Sequence, residues 1–268
     1  PASPAETAAR GKRTSPRCVT RGTHLPGYRH RRPDAPDAQV TTTARPRGLY
    51  STDVGKKYVM AISGIVLMLF VLGHMVGNLK LYLGADSLNA YSHWLREVGE
   101  PALPREVLLW IVRIVVLVAV VAHIDSAARL TRSNRRARPV RYQGRREFAA
   151  ADFASRTMRW TGIIVALFVA FHLLDLTWGT TNPDFRSGDP YANTVASFER
   201  VPVAIFYVVA NLALALHLYH GAWSLFQSMG WAHPRWNAWR RRFAIGFAVL
   251  IAVGNISFPI AVVTGVVN

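Results

Sequence analysis

Five long apolar stretches limit what this chain can become. They run over about residues 59–79, 107–128, 159–178, 203–226 and 243–267. Each has roughly the 18–25 residues that an α-helix rising ~1.5 Å per residue needs to cross ~30 Å of hydrocarbon. The bland alternative is five buried helices in a soluble core. In 268 residues that would leave too little amphipathic sequence to cover them. The spacing therefore predicts an all-α integral membrane protein, a bundle of five transmembrane helices. Gly64, Gly77, Gly162, Gly221 and Gly254 fall in or near these stretches. Small residues there permit close helix packing, or make room for a flat cofactor ring.

The charge is sorted by segment. The chain is 51% hydrophobic yet carries a net charge of +17. Residues 1–57 hold 12 Lys/Arg against 4 acids, residues 129–159 hold 10 against 2, and residues 230–242 hold 4 against none. The other two connections are slightly acidic, with 3 against 4 over 80–106 and 2 against 3 over 179–200. Basic segments thus alternate across the membrane. The positive-inside rule places the N-terminus in the cytoplasm and the C-terminus outside, as five spans require. The charge is an orientation signal suited to anionic lipid or a soluble partner subunit, and no nucleic acid is expected. Trp231, Trp236 and Trp239 amid Arg240, Arg241 and Arg242 read as a cytoplasmic interface belt. The single Cys18 excludes an internal disulfide and any zinc or iron–sulfur site built on this chain's cysteines alone.

Residues 1–46 are rich in Arg, Pro, Ala and Thr and contain no apolar run. A disordered basic tail is expected, not a signal peptide. No Met precedes Met60, which already lies in the first stretch. The expectation is a natural start at Val40, with 1–39 an over-extended reading frame. The five-helix domain spans 47–268.

Five of the nine histidines lie in the apolar stretches: His74, His123, His172, His217 and His220. Ionisable side chains in hydrocarbon are costly and usually face a cavity or cofactor. One such histidine is an ordinary helix–helix hydrogen bonder, whereas four helices carrying one each is a stronger signal. Position along each span gives depth. His74 and His172 fall in the outer half, His123 and His217 in the inner half, ~6–9 Å from the cytoplasmic boundary at ~1.5 Å per residue. Two levels with two imidazoles each suit two haems with bis-histidine ligation, their irons on the order of 10–15 Å apart along the membrane normal. Zinc or copper needs ligands converging on one point. A Rieske-type cluster needs two thiolates that only a partner chain could supply. His220, one turn after His217, is a packing residue by default, or a group beside the cofactor. Arg113 lies inside the second stretch. An outer-haem propionate, Asp175 and the outer interface all remain open as its partner. Ser63, Thr161, Asn78, Asn211 and Lys80 can bond propionates or backbone.

The segments SGIVLMLFVLGHMVGNLKLY (63–82), LLWIVRIVVLVAVVAHI (108–124), RWTGIIVALFVAFHLLDLTWG (159–179) and YANTVASFERVPVAIFYVVANLALALHLYHGAWSLFQSMG (191–230) carry a resemblance. Together with AYSHWLREVGEPALP (90–104) and GNISFPIAV (254–262), they resemble the cytochrome b membrane anchor of succinate dehydrogenase (succinate:quinone oxidoreductase, complex II), in its single-chain, five-helix, di-haem group of actinobacterial type. The resemblance covers roughly residues 50–266 in order. It implies two haem b groups, one on His123 and His217 nearer a cytoplasmic iron–sulfur subunit and one on His74 and His172 further out. It also implies a flavoprotein carrying FAD that oxidises succinate, an iron–sulfur subunit that relays electrons, and a quinone, in this group menaquinone, as acceptor. The chain would be a multi-pass protein of a bacterial cytoplasmic membrane, serving electron transport and the tricarboxylic acid cycle. The succinate site would lie on a partner, and the reverse reaction, fumarate reduction, stays open.

Two quinone locations compete. His93, Trp94 and Arg96 follow the first span on the outer side, and Trp223 with His220 lies on the inner side. Three other functions also stay open. A non-haem iron–sulfur centre could replace haem in the same anchor. The chain could be another di-haem cytochrome b anchor. It could instead be a transporter relaying protons through the intramembrane histidines, Arg113, Asp125 and Asp175.

Overall fold

The computed structural model describes residues 48–137, 149–231 and 233–268, and these belong to one compact unit. The expected disordered tail over 1–46 and the start expected at Val40 lie outside the described residues. Seven α-helices follow one another: α1 Asp53–Asn78, α2 Ala85–Glu97, α3 Val107–Arg136, α4 Ala149–Leu176, α5 Pro190–Glu199, α6 Val201–Ser228 and α7 Asn237–Val263. No strand occurs among the described residues.

Five segments are long and apolar enough to cross a membrane: Asp53–Leu83, Val107–Arg136, Thr157–Leu176, Val201–Ser228 and Pro234–Val263. They coincide with the five apolar stretches, so the fold is the expected multi-pass helical membrane bundle. Its boundaries differ from the apolar limits. α3 continues to Arg136, with Arg135 and Arg136 in its last turn, where cations complement the helix dipole. α1 starts nearly two turns before its apolar run because Thr52 caps it, accepting from the Gly55 amide at 3.0 Å.

Two expected connections contain helices of their own. α5 begins at Pro190, whose fixed φ suits a first helical position, and Asp189 caps it by accepting from the Ala192 amide at 3.0 Å. Asn89 of α2 donates to the same Asp189 carboxylate at 2.9 Å and accepts from the Tyr191 amide at 3.2 Å, tying α2 to α5. These donors, led by the Ala192 amide, hold the Asp189 carboxyl below its usual range.

α1 packs along α3, α4 along α6, and α6 along α7, while α3 shares no packed face with α4 or α6. The core joins Tyr207, Leu214 and Leu218 of α6 to Ile251 and Phe258 of α7 and to Met75 of α1. Gly254 makes the α1–α7 approach possible, since a Cβ there would lie 2.8 Å from Met75 Cγ. The outer surface is apolar. Ile114, Leu117, Val118 and Val121 of α3 are all more than half exposed, as lipid-facing side chains are.

The cationic belt expected around Trp231 to Arg242 needs one correction. Trp231, Trp236, Trp239, Arg241 and Arg242 are exposed, but Arg240 is only 1% exposed. Its guanidinium donates to Asn237 Oδ1 at 2.9 Å and to the Trp223 carbonyl at 3.0 Å. It lies over the Trp223 ring at 4.9 Å and the Phe226 ring at 5.6 Å. Arg240 therefore clamps the end of α6 to the start of α7.

Candidate functional site

Across the space between the α1–α3 pair and the α4–α6 pair, four histidines meet two by two. His74 of α1 faces His172 of α4 with ring centroids 5.8 Å apart and planes at 85°. His123 of α3 faces His217 of α6 at 6.2 Å and 70°. These are the pairs that depth along each span selects. Two imidazoles sharing one metal at a bond length of about 2 Å on each side have ring centroids roughly 6 Å apart. Both pairs have that separation. Among the described residues no set of three His, Cys, Asp or Glu gathers as a metal cluster, so each level offers two ligands on opposed sides. None of the four rings is sealed: His123, His172 and His217 are half-buried and His74 is exposed. The donor set thus suits a flat group whose metal takes one imidazole on each face.

The backbone fixes the His123–His217 level. Nδ1 of His123 lies 3.1 Å from the Met60 carbonyl, which only accepts, so Nδ1 carries the proton and Nε2 keeps its lone pair. The Ser63 hydroxyl stands 3.3 Å from the same nitrogen. His217 Nδ1 is met by Thr161 Oγ1, the repeat counterpart of Ser63, at 3.4 Å. A Cβ on Gly64 would touch His123 Cε1 at 3.4 Å, and one on Gly162 would touch His217 Cε1 at 3.4 Å. Gly64 and Gly162 thus let each imidazole lie against the neighbouring helix.

This matched geometry reflects an internal repeat that depth reasoning passes over. Met60, Ser63, Gly64, Ile65, Leu69, Phe70, Val71 and His74 recur 98 residues later as Met158, Thr161, Gly162, Ile163, Leu167, Phe168, Val169 and His172. Comparing the first and third spans directly would have found it. The ten residues from glycine to histidine in each copy put the two levels about 15 Å apart at ~1.5 Å per residue.

The His74–His172 level is held by side chains. His74 stacks on Phe70 at 5.5 Å, and its Nε2 lies 3.3 Å from the Asn78 amide nitrogen. His172 Nδ1 lies 3.4 Å from the Tyr207 hydroxyl, which is also 3.1 Å from Asp175 Oδ2. Asp175 has no exposed surface. Ser197 Oγ donates to it, as do Thr181 Oγ1 at 3.2 Å and Arg200 Nη2 at 2.5 Å. The suggested Arg113–Asp175 pair does not form. Asp175 is paired with Arg200, which reaches it from the residue between α5 and α6, whereas α3 does not pack on α4. Arg113 is exposed on α3, its guanidinium 4.9 Å from the Trp110 ring centroid. Tyr207, Ser197 and Arg200 were not singled out from sequence, where only the buried acid Asp175 hints at donors nearby.

The remaining candidates make no ring contact with the four paired histidines. His93 and Trp94 are exposed on α2, and Trp94 stacks on Tyr91 at 5.8 Å. Arg96 pairs with Glu106 at 3.6 Å and donates to the Ser92 carbonyl at 3.3 Å. His220 is 6% exposed, 3.3 Å from Thr157 Oγ1, with its ring 5.0 Å from Tyr219. Trp223 lies under Arg240.

Fold and site together define a helical, multi-pass integral membrane protein with two opposed imidazole pairs. Residues 131–256 match the family model described as "Succinate dehydrogenase/Fumarate reductase transmembrane subunit". The match takes in His172 and His217 and the whole second copy of the repeat, which supports a membrane-anchor subunit. Comparisons with curated proteins and with solved structures return no match.

Proposed function

We propose that the chain is the cytochrome b membrane anchor of a succinate dehydrogenase complex, binding two haem b groups and passing electrons from an iron–sulfur subunit to quinone. One observation carries the reading: four histidines from four spans meet as two opposed pairs at 5.8 and 6.2 Å. His123 and His217 would hold the inner haem, and His74 and His172 the outer. A haem held there by two imidazoles would carry single electrons. The chain's own part is positional. The Met60 carbonyl and the Thr161 hydroxyl orient the inner imidazoles, and Gly64 and Gly162 keep the space beside them open.

The family description supports flavoprotein and iron–sulfur partners. FAD and the iron–sulfur clusters are proposed to reside on those partners. The charge distribution supports an N-terminus on the cytoplasmic side of a bacterial membrane, facing those partners. Menaquinone is the proposed acceptor. The reduced-minus-oxidised spectrum of the purified complex, with haem quantification, tests the reading. Two b haems per chain are expected. His74→Ala and His172→Ala should lose one haem, and His123→Ala and His217→Ala the other. A complex without haem, or a different grouping, would overturn the proposal.

A further inference from the structure

The two imidazole levels are held by different chemistry. At His123 the Nδ1 partners include the Met60 carbonyl, which no side-chain change removes, and at His217 the partner is the Thr161 hydroxyl of the neighbouring helix. At His172 the partner is the Tyr207 hydroxyl, which belongs to a buried charged network. Asp175 is ion-paired with Arg200 at 2.5 Å and is therefore a carboxylate, able only to accept. The Tyr207 proton must then point at Asp175, at 3.1 Å, leaving the phenol oxygen to accept from His172 Nδ1–H at 3.4 Å. The chain of donors runs one way, from imidazole to phenol to carboxylate. It ends on a buried carboxylate paired with Arg200, in a site of low dielectric where such chains polarise one another.

We infer that Tyr207, anchored by Asp175, is the positioning residue of the His74–His172 site, fixing the tautomer and plane of His172 and holding down the reduction potential of the haem there. The inference rests on the haem reading above. An imidazole whose N–H is drawn toward an acceptor is a more basic ligand and favours the oxidised iron. Tyr207 itself is locked. Its ring meets Phe198 edge-on at 4.9 Å and Phe168 at 5.1 Å, and it is 3% exposed. Ser197 tunes the same acceptor. Its hydroxyl donates to Asp175 Oδ2, the oxygen that Tyr207 uses. Removing that donor leaves Oδ2 more basic and strengthens the pull on Tyr207.

The test is a redox titration of the purified complex, read by haem absorbance and by the low-spin EPR signals. The outer haem is the wave that His172→Ala removes. Tyr207→Phe keeps the ring and deletes only the hydroxyl. It should move the outer wave to higher potential, change that haem's EPR signal and leave the inner wave in place. Ser197→Ala should move the outer wave the opposite way, which loosened packing would not do. If Tyr207→Phe does not assemble, Ser197→Ala decides alone. An outer wave that stays put, or waves that shift together, would overturn the inference. A wild-type complex without haem would instead fail the functional proposal on which the inference stands.

Discussion

Replacing Asp175 should be the most costly single change near the site, with or without cofactor. The carboxylate is wholly buried and collects Thr181, Ser197, Tyr207 and the Arg200 guanidinium. Asp175→Ala strands that cation. Removing one partner of a buried ion pair costs about 3–5 kcal/mol, most of it from the charge left behind. The Arg200 side chain is 28% exposed, so water recovers part of the loss. That places the change near the lower end, about 3 kcal/mol, or a little over a hundredfold in the folding equilibrium. Thermal unfolding of the detergent-solubilised complex, followed by tryptophan fluorescence, would measure it. Asp184→Ala, an exposed acid in the connection that follows α4, is the control. Removing the stranded cation as well should help, so D175A/R200A should be more stable than D175A. Equal stability of D175A and the control, or no recovery in the double variant, would refute the reasoning.

Two further changes separate buried from exposed polar groups. Arg240→Ala should cost about 2–4 kcal/mol, since it removes two hydrogen bonds and two aromatic contacts between α6 and α7. Arg241→Ala, exposed one residue on, should stay within about 0.5 kcal/mol in the same melt. Asp189→Ala should cost about 1 kcal/mol by uncapping α5. The folded Asp189 carboxyl lies below its unfolded value, so its contribution is full at neutral pH and fades as pH falls through the depressed value. The melts of Asp189→Ala and wild type should therefore differ at pH 7 and converge only in acid, as pH falls from the ordinary carboxyl range through the depressed folded value.

The spans were legible because bilayer thickness sets their length, and an apolar run that long has few other uses. The imidazole pairs were legible because depth is simple arithmetic along a helix of fixed rise. Depth says nothing about which way a side chain faces or which helices adjoin. Arg113 and Asp175 therefore looked like partners, although α3 and α4 do not pack, and Arg200 went unnoticed in a connection. Rotation of ~100° per residue hides in a run such as Arg240, Arg241 and Arg242, where one member turns inward and two stay out. α2 and α5 escaped because each is too short for an apolar run to reveal. They are held by contacts between distant residues, such as Asn89 with Asp189.

Each imidazole pair takes one ring from the α1–α3 pair and one from the α4–α6 pair. Neither pair of helices owns a complete site, so a group gripped at either level rivets one half of the bundle to the other. Loading and closure then form one equilibrium, and a ligand present at a hundred times its dissociation constant adds about 2.7 kcal/mol to the closed form. Chain order also sets a timetable. Synthesis supplies His172 before His217, so the His74–His172 clasp has both jaws while the other still has one. Chain order thus completes the pair backed by Tyr207 before the pair that includes His123.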